Sequence, residues 1–506
     1  MFKVNKFRHG FGSTNKFLSA LKSKSEEFWV KRGEKMVLKL FKEMSVRVPA
    51  YRDFLKKHTV KAAAIKTIKD FSQLPRISKE NYLRQYDLSD LCWDGQLKEE
   101  RWTISSTSGS TGEPFYFPRT ALQDDQYALV AELYLLTNFK INKRSTLYVD
   151  AFPMGPWIGG VFTYEAIRMV AERGKYSLSI FTAGIDKKEV IKAVRKFGHS
   201  FDQILIGSYA PFLKDILDDG VEAGINWKDY NLGFIFSAEG FSEKFRDYVG
   251  NLAGINVVTS TLNHYGTVDL GTMAYETPVS ILTRRLSLDS DKIFANLFGS
   301  GYKLPTLGQY LPEMFYFEEN NNGLLCSGYS GLPLVRYDLH DRGGVHSYKH
   351  IDDVFKKHNV NLNKEAKNNK IEDTVWQLPF VYIYERDDFS VSFFAFLIYP
   401  ETIRRALQND QLLSFLTGKF TMQVQYDSQL DQILEINVEL KNNQPETSKL
   451  RELVTKIITE QLRQESSEYR KTNNEKGNKV LPRIIFWPYE DSSFFKPGTK
   501  QKWVKK

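Results

Sequence analysis

With 506 residues, 42% hydrophobic and 14% aromatic, the chain is long enough for roughly two to four domains with sizeable cores, and its 36 Phe, 26 Tyr and 8 Trp exclude a disordered protein. Two cysteines, Cys92 and Cys326, exclude a disulfide framework and a cysteine-based zinc site. The net charge of +9 is spread along the chain among Asp and Glu, without zinc-finger spacing or a basic block before the last few residues, which argues against nucleic-acid binding.

The opening MFKVNKFRHGFGSTNKF has no apolar signal region, and the longest apolar run, Phe389 to Pro400, is too short to span a bilayer. A soluble cytoplasmic protein with no transmembrane segment is the expectation. The first hundred residues read as helices, with Met36 to Phe41 ahead of a turn-like Val48-Pro49-Ala50-Tyr51-Arg52, and Leu74 to Lys79 (LPRISK) further on.

Next comes TISSTSGSTGEPFYFPRT, Thr103 to Thr120, whose centre from Ser105 to Thr111 is only Ser, Thr and Gly. Backbone N–H groups in such a turn can converge on phosphate oxygens, and hydroxyls add donors. Gly109 and Gly112 would let the backbone approach closely, but no Gly-Lys-Ser/Thr follows, so this is not a Walker A loop. Strand-like flanks, Arg101 to Ile104 and Phe115 to Phe117, favour a phosphate-holding loop; on its letters alone a flexible connection stays open.

From Asp186 the pattern alternates. Asp186 and Glu189 have capping-box spacing before a helix with Val190, Val194 and Phe197 on one face. Strands are expected at Ile204–Ile206, Leu232–Phe236 and Ile255–Val258, with a helix capped by Ser242 before the last. Strand–helix alternation implies a parallel sheet, whose ligands bind beyond the carboxyl ends of its strands. Ser237 to Gly240 and Asn263 to Asp269 fall there, which would bring Glu239 and Tyr265 to one rim. The Lys/Asn/Asp-rich stretch from Ser347 to Val375 reads as a surface insertion. Beyond Glu385 to Asp388 the pattern becomes a small α+β unit, with strands at Phe420–Tyr426, Ile433–Leu440 and Val480–Trp487 and a helix bearing Leu450, Leu453, Val454, Ile457, Ile458 and Leu462 on one face.

Thr107-Ser-Gly-Ser-Thr-Gly-Glu-Pro114 resembles the signature loop of the adenylate-forming superfamily: acyl-CoA synthetases, adenylation domains and luciferases. Other motifs follow in that family's order. Phe236 to Gly240 resembles its acidic turn, Tyr265-Gly-Thr-Val-Asp269 its Tyr-Gly-x-Thr/Ser-Glu motif, and Pro333 to Asp341 its ribose-binding motif. Glu385 to Asp388 resembles its hinge, and Gly498 to Lys502 its C-terminal lysine motif. Val48 to Arg52 and Leu74 to Lys79 resemble the phenylacetate-CoA ligase-like branch, including its capsule-biosynthesis relatives.

The resemblance implies an α/β fold: a large N-terminal AMP-binding domain (1–387) with parallel and mixed sheets flanked by helices, and a small mobile α+β C-terminal lid (388–506) turning about Asp388. It implies ATP, Mg²⁺ and a small carboxylic acid as reactants. An acyl-adenylate forms, and CoA or another acceptor then takes the acyl group. In these roles Thr107, Ser108, Gly109, Ser110, Thr111 and Gly112 would hold phosphates, and Glu239, Tyr265, Gly266 and Thr267 the nucleotide. Asp341 would bind ribose, Arg336 ribose or phosphate, Asp269 the metal, and Lys500 would be catalytic. Phe152, Trp157, Gly160 and His264 are expected at the acid, with Phe152 and Trp157 suggesting an apolar or aromatic one and His264 a packed neighbour rather than an acid or base.

Three departures matter. Val268 replaces a Thr or Ser, Asp269 is a methylene shorter than Glu, and Ala395 replaces a Gly after the hinge. The readings they leave open are an acid–CoA ligase, an adenylating enzyme serving an amine, hydroxyl or carrier-protein thiol, and a non-catalytic nucleotide-binding relative.

Overall fold

The computed structural model describes residues 11, 13–98, 102–107, 115–155, 158–299, 304–320, 323–386, 390–394, 396–491, 494–495 and 504. The chain divides into two compact units, Met1–Ser105 with Phe117–Glu385, and Ser106–Tyr116 with Arg386–Lys506. The expected hinge residue, Asp388, lies outside the described residues.

The first unit opens on helices Thr14–Ser23, Glu26–Arg47 and Pro49–Lys57. The expected turn at 48–52 shrinks to one residue: Val48 alone is extended, and Pro49 starts the next helix because its missing N–H is needless there.

Strands β1 (Thr103–Ser106) and β2 (Tyr116–Arg119) form a two-stranded sheet. Eleven more build one large sheet: β3 (Thr146–Asp150), β4 (Leu178–Phe181), β5 (Gln203–Ser208), β6 (Leu232–Phe236), β7 (Thr261–Thr267), β8 (Gly271–Tyr275), β9 (Thr306–Gln309), β10 (Phe315–Asn320), β11 (Gly323–Gly328), β12 (Leu334–His346) and β13 (Phe380–Arg386). Their order is β10-β11-β12-β13-β9-β8-β7-β6-β5-β3-β4. Strands β4, β3, β5, β6 and β7 are parallel. Strand β8 returns antiparallel on β7, and β9 on β8. Every residue of β3, β5 and β6 is buried, as in a sheet covered by helices on both faces.

Helices Lys187–Phe197 and Glu243–Ala253 start where their caps predict. Asp186 Oδ1 accepts from the Lys188 and Glu189 N–H groups, and Ser242 Oγ from the Phe245 N–H. The third strand is displaced. Residues 257–260 form a helical turn because Asn256 Oδ1 accepts from the Val258 N–H at 2.9 Å, and pairing with β6 begins only at Thr261. Tyr265 therefore lies within β7, not in a loop after it.

The stretch from Ser347 to Val375 is not a surface insertion. Helices Tyr348–Lys357 and Leu362–Asn368 bury Tyr348, Ile351, Phe355, Leu362 and Ala366 in a core shared with Leu307 and Phe380. Its polar composition belongs to the outer faces of amphipathic helices.

In the second unit, β14 (Val391–Phe393) and β15 (Phe396–Ile398) form a hairpin. Strand β16 (Leu416–Tyr426) pairs antiparallel with β17 (Gln432–Leu440), and β17 pairs parallel with β18 (Arg483–Trp487). Between β17 and β18 the helix Ser448–Glu465 buries Leu450, Val454, Ile457, Ile458 and Leu462. This is the expected α+β pattern. No helix among the described residues is long and apolar enough to cross a membrane.

Candidate functional site

The rim beyond β6 and β7 is built from a strained turn and two crossed tyrosine–carboxylate pairs. Pairing of β6 with β7 runs to Phe236 opposite Asn263. Asn263 Nδ2 then donates to the Glu239 carbonyl at 2.9 Å, holding the turn after β6 against β7. Within that turn Ala238 has φ 76°, a left-handed conformation that costs an alanine about 1 kcal/mol or more and persists only where the surroundings enforce it.

Tyr265 follows on β7. Its hydroxyl donates to Asp341 Oδ2 at 2.5 Å, and its ring lies against Phe317 with centroids 6.2 Å apart. A Cβ on Gly266 would sit 2.8 Å from the Gly271 carbonyl oxygen, so glycine permits the close approach of β7 and β8 where their register shifts. Thr267 Oγ1 accepts from the Leu270 N–H at 3.2 Å and closes the hairpin loop that carries Asp269. Asp269 is buried: Oδ2 accepts from the Tyr337 hydroxyl at 3.1 Å, and the Lys79 ammonium stands 3.5 Å from Oδ1. Strand β12 thus contributes Tyr337 and Asp341, four residues apart, each meeting its opposite number on the β7–β8 hairpin.

Arg336 is directed elsewhere. Its guanidinium pairs with Glu318 at 3.1 Å and donates to the Leu74 carbonyl. Beside it the Ile77 N–H donates to the Arg336 carbonyl and the Asp338 N–H to the Ile77 carbonyl, at 3.1 and 2.8 Å. Segment 74–79 is therefore laid along β12, and Lys79 at its end reaches Asp269. Sequence reasoning assigned no role to Lys79 or Tyr337. Both stand inside motifs it singled out, but only cross-strand packing pairs them with Asp269.

His264 is 4% exposed, with its ring 5.7 Å from that of Tyr127 and 5.2 Å from that of Tyr134. Burial pushes its pKa down to about 3, so the imidazole is neutral at physiological pH. Phe152, just past β3, is buried and donates its N–H to Asp150 Oδ1 at 3.2 Å. Gly160 lies in the first turn of helix Ile158–Gly174, its N–H donating to the Pro153 carbonyl.

In the second unit, Thr107 closes its hairpin onto Phe115: its N–H donates to the Phe115 carbonyl at 3.0 Å and Oγ1 accepts from the Phe115 N–H at 2.9 Å. Ser108, Gly109, Ser110, Thr111, Gly112, Trp157, Ala395 and Lys500 lie outside the described residues. Among the described residues no group of three or more His, Cys, Asp or Glu could hold a metal ion.

No protein-family model matches the sequence, and no curated protein matches it. Solved structures do. A 2-hydroxyisobutyryl-CoA ligase in complex with 2-HIB-AMP and CoA, in its thioesterification state, superposes with a TM-score of 0.62 at 14% identity, covering 96% of this chain and 91% of that one. The same ligase in its postadenylation state superposes with a TM-score of 0.55 at 13% identity, covering 100% of this chain and 94% of that one. The chain shares the fold of this acid–CoA ligase.

Proposed function

We propose that this chain, having the fold of adenylate-forming enzymes, activates a carboxylic acid with ATP and passes the acyl group to a thiol, with CoA as the acceptor. In the first half-reaction a carboxylate oxygen attacks the α-phosphorus of ATP, the bond to the β-phosphate breaks, and pyrophosphate leaves. In the second, the acceptor sulfur attacks the acyl carbon, its proton is lost, and AMP departs.

The observation that carries this reading is the crossed arrangement of Tyr265–Asp341 and Tyr337–Asp269 at the rim of the parallel strands. Tyr265 offers adenine a flat face, its ring already fixed between Phe317 and Asp341. Asp341 offers ribose hydroxyls a buried carboxylate. Gly266 and Thr267 shape the hairpin that presents Tyr265 and Asp269, and Glu239 sits on the adjoining turn. Arg336 serves the site through segment 74–79, which it ties to β12.

A magnesium ion fits Asp269. The Oδ1 atom is buried without a hydrogen-bond partner among the described residues, and Mg²⁺ is commonly held by one or two carboxylates plus substrate phosphates. Bound there it would supply charge neutralisation for the phosphates. Lys79, at 3.5 Å from the same oxygen, balances the carboxylate's charge in the metal's absence. The loop from Thr107 to Gly112 is assigned to the triphosphate, and Lys500 to the negative charge that builds between carboxylate and α-phosphate. We assign 1–387 as the large AMP-binding domain and 388–506 as the lid, with Asp388 as its hinge.

Pyrophosphate release from ATP and Mg²⁺ across aryl, fatty and hydroxy acids, with and without CoA, tests the proposal. Acid-dependent release that Lys500→Ala abolishes, with a CoA-dependent thioester product, is the expected result. ATP binding without turnover on any acid would point instead to a nucleotide-binding protein. Turnover that CoA does not accelerate would point to a different acceptor.

A further inference from the structure

We infer that the sheet face beneath helix Ala121–Thr137 forms a hydrogen-bonding chamber for the acyl part of the substrate, and that the activated acid carries a hydroxyl or similar polar group. This rests on the acid-activating reading above and departs from the apolar or aromatic acid suggested by Phe152 and Trp157.

The sheet register places the polar groups together. Residues two apart on a strand share a face, and so do residues directly opposite on neighbouring strands. Tyr148 and Asp150 of β3 therefore share a face with Gly207 of β5, opposite Asp150, and with Ile235 of β6, opposite Gly207. Leu262 of β7 continues the row, His264 is two residues further on, and Tyr275 of β8 stands opposite His264. The helix lowers Tyr127 and Tyr134 onto this face, two turns apart, and the Tyr134 ring lies tilted against those of both His264 and Tyr275, with centroids 5.2 and 5.8 Å away.

Tyr148, Asp150, His264 and Tyr275 are at most 4% exposed. The Tyr148 hydroxyl, Asp150 Oδ2, His264 Nε2 and the Tyr275 hydroxyl have no hydrogen-bond partner among the described residues. Each unmade bond leaves a buried polar group with its desolvation cost uncompensated, and buried polar groups are otherwise almost always satisfied. Four on one face is a concentration that packing does not require, since phenylalanine would fill positions 148 and 275 equally well.

Space is reserved for one of these groups. A Cβ on Gly207 would lie 2.3 Å from the Tyr148 hydroxyl oxygen and 2.9 Å from Phe152 Cε2, so β5 is bare where that hydroxyl meets the Phe152 ring. The chemistry narrows the ligand. Burial holds Asp150 well above the usual carboxylate range and His264 well below the usual imidazole range, so both are neutral. A neutral carboxyl, a neutral imidazole and phenol hydroxyls both donate and accept. That set matches a hydroxyl, not a second anion and not a hydrocarbon. The chamber adjoins the nucleotide positions along the chain, since His264 directly precedes Tyr265.

The test uses matched acids: lactate with propionate, 3-hydroxybutyrate with butyrate, and 4-hydroxyphenylacetate with phenylacetate. ATP–pyrophosphate exchange by the full chain should favour the hydroxylated member of at least one pair by on the order of 10⁴-fold in kcat/KM, the discrimination of a site built to bond a hydroxyl. Tyr148→Phe should shrink that preference by about tenfold or more, mainly through KM of the hydroxylated acid. Without acid its Tm should equal or exceed that of the wild type, because a partnerless hydroxyl has been removed, and the acid-induced rise in Tm should be lost. Tyr275→Phe repeats the measurement should Tyr148→Phe fail to fold.

Preference for the plain acid in every pair, or a preference unchanged in both variants, overturns the inference. So does a marked fall in acid-free Tm in both variants, which would mean that those hydroxyls already serve the resting fold. A wild type that exchanges pyrophosphate with no acid sinks the acid-activating reading; the chamber is then judged by Tm alone. A hydroxylated acid that raises the wild-type Tm but not that of Tyr148→Phe supports it, and no differential rise overturns it.

Discussion

The Tyr265 hydroxyl donates to Asp341 Oδ2 at 2.5 Å, tying the ring assigned to adenine to the carboxylate assigned to ribose. Asp341→Asn should raise the KM for ATP about 10- to 100-fold, since a hydrogen bond to a charged group contributes about 1.5–3 kcal/mol. Tyr265→Phe keeps the ring and loses only the tether, so its effect should be smaller. ATP titrations of both variants check the order; equal, negligible effects would remove both residues from the nucleotide site.

Lys79 and Asp269 make opposite predictions for magnesium. The ammonium 3.5 Å from Asp269 competes with a cation at the same carboxylate, and Lys79 is part-exposed at 23%. Lys79→Gln should therefore lower the Mg²⁺ concentration for half-maximal pyrophosphate release by about fivefold, corresponding to about 1 kcal/mol for a part-exposed pair. Asp269→Asn should raise it. A metal titration in which both variants match the wild type would detach Asp269 from the metal.

The two neutral groups beneath helix Ala121–Thr137 pull stability in opposite directions with pH. Burial raises the Asp150 pKa from an ordinary 3.8, so its contribution is fully present below that value and is lost as pH rises and only the unfolded chain ionises. Asp150→Asn should accordingly melt above the wild type at pH 7 and with it near pH 4. His264 falls from 6.5 to about 3, so its contribution is full above pH 6.5 and is lost as pH falls towards 3. His264→Gln should flatten the acid limb between those values. Melting curves across that range check both signs.

Beneath the rim, Arg246 is fully buried; its Nη2 donates to both Glu276 carboxylate oxygens at 2.8 Å and its Nη1 to Thr261 Oγ1 at 2.7 Å. Arg284 meets the same glutamate at 2.6 Å. Glu276→Gln leaves two buried guanidinium groups short of charge and should cost about 3–5 kcal/mol. Urea unfolding measures it; a cost near zero would mean that Glu243, which also meets both arginines at 3.0 and 3.1 Å, balances them alone.

Much of this molecule was legible in the sequence, because the signals concerned are local. Asp186 and Ser242 cap their helices by reaching two or three residues ahead, and the buried faces of Lys187–Phe197 and Ser448–Glu465 repeat at helical spacing. The order of motifs from Thr107 to Lys502 likewise needs no folding to be read. Other features were hidden by stronger local or long-range terms. The apolar run at Ile255–Val258 looked like a strand, but an Asn256 cap made part of it helical. Lysines and asparagines masked the buried faces of Tyr348–Lys357 and Leu362–Asn368. What only the tertiary structure decided is which side chains meet. Lys79 reaches Asp269 because Ile77 lies along β12, Arg336 turns to Glu318, and Tyr148, Asp150, His264 and Tyr275 share a face because β3, β5, β6, β7 and β8 pair in one register. A hydroxyl or carboxylate has no partner written beside it in the chain, and its partner is set by register and packing between distant segments.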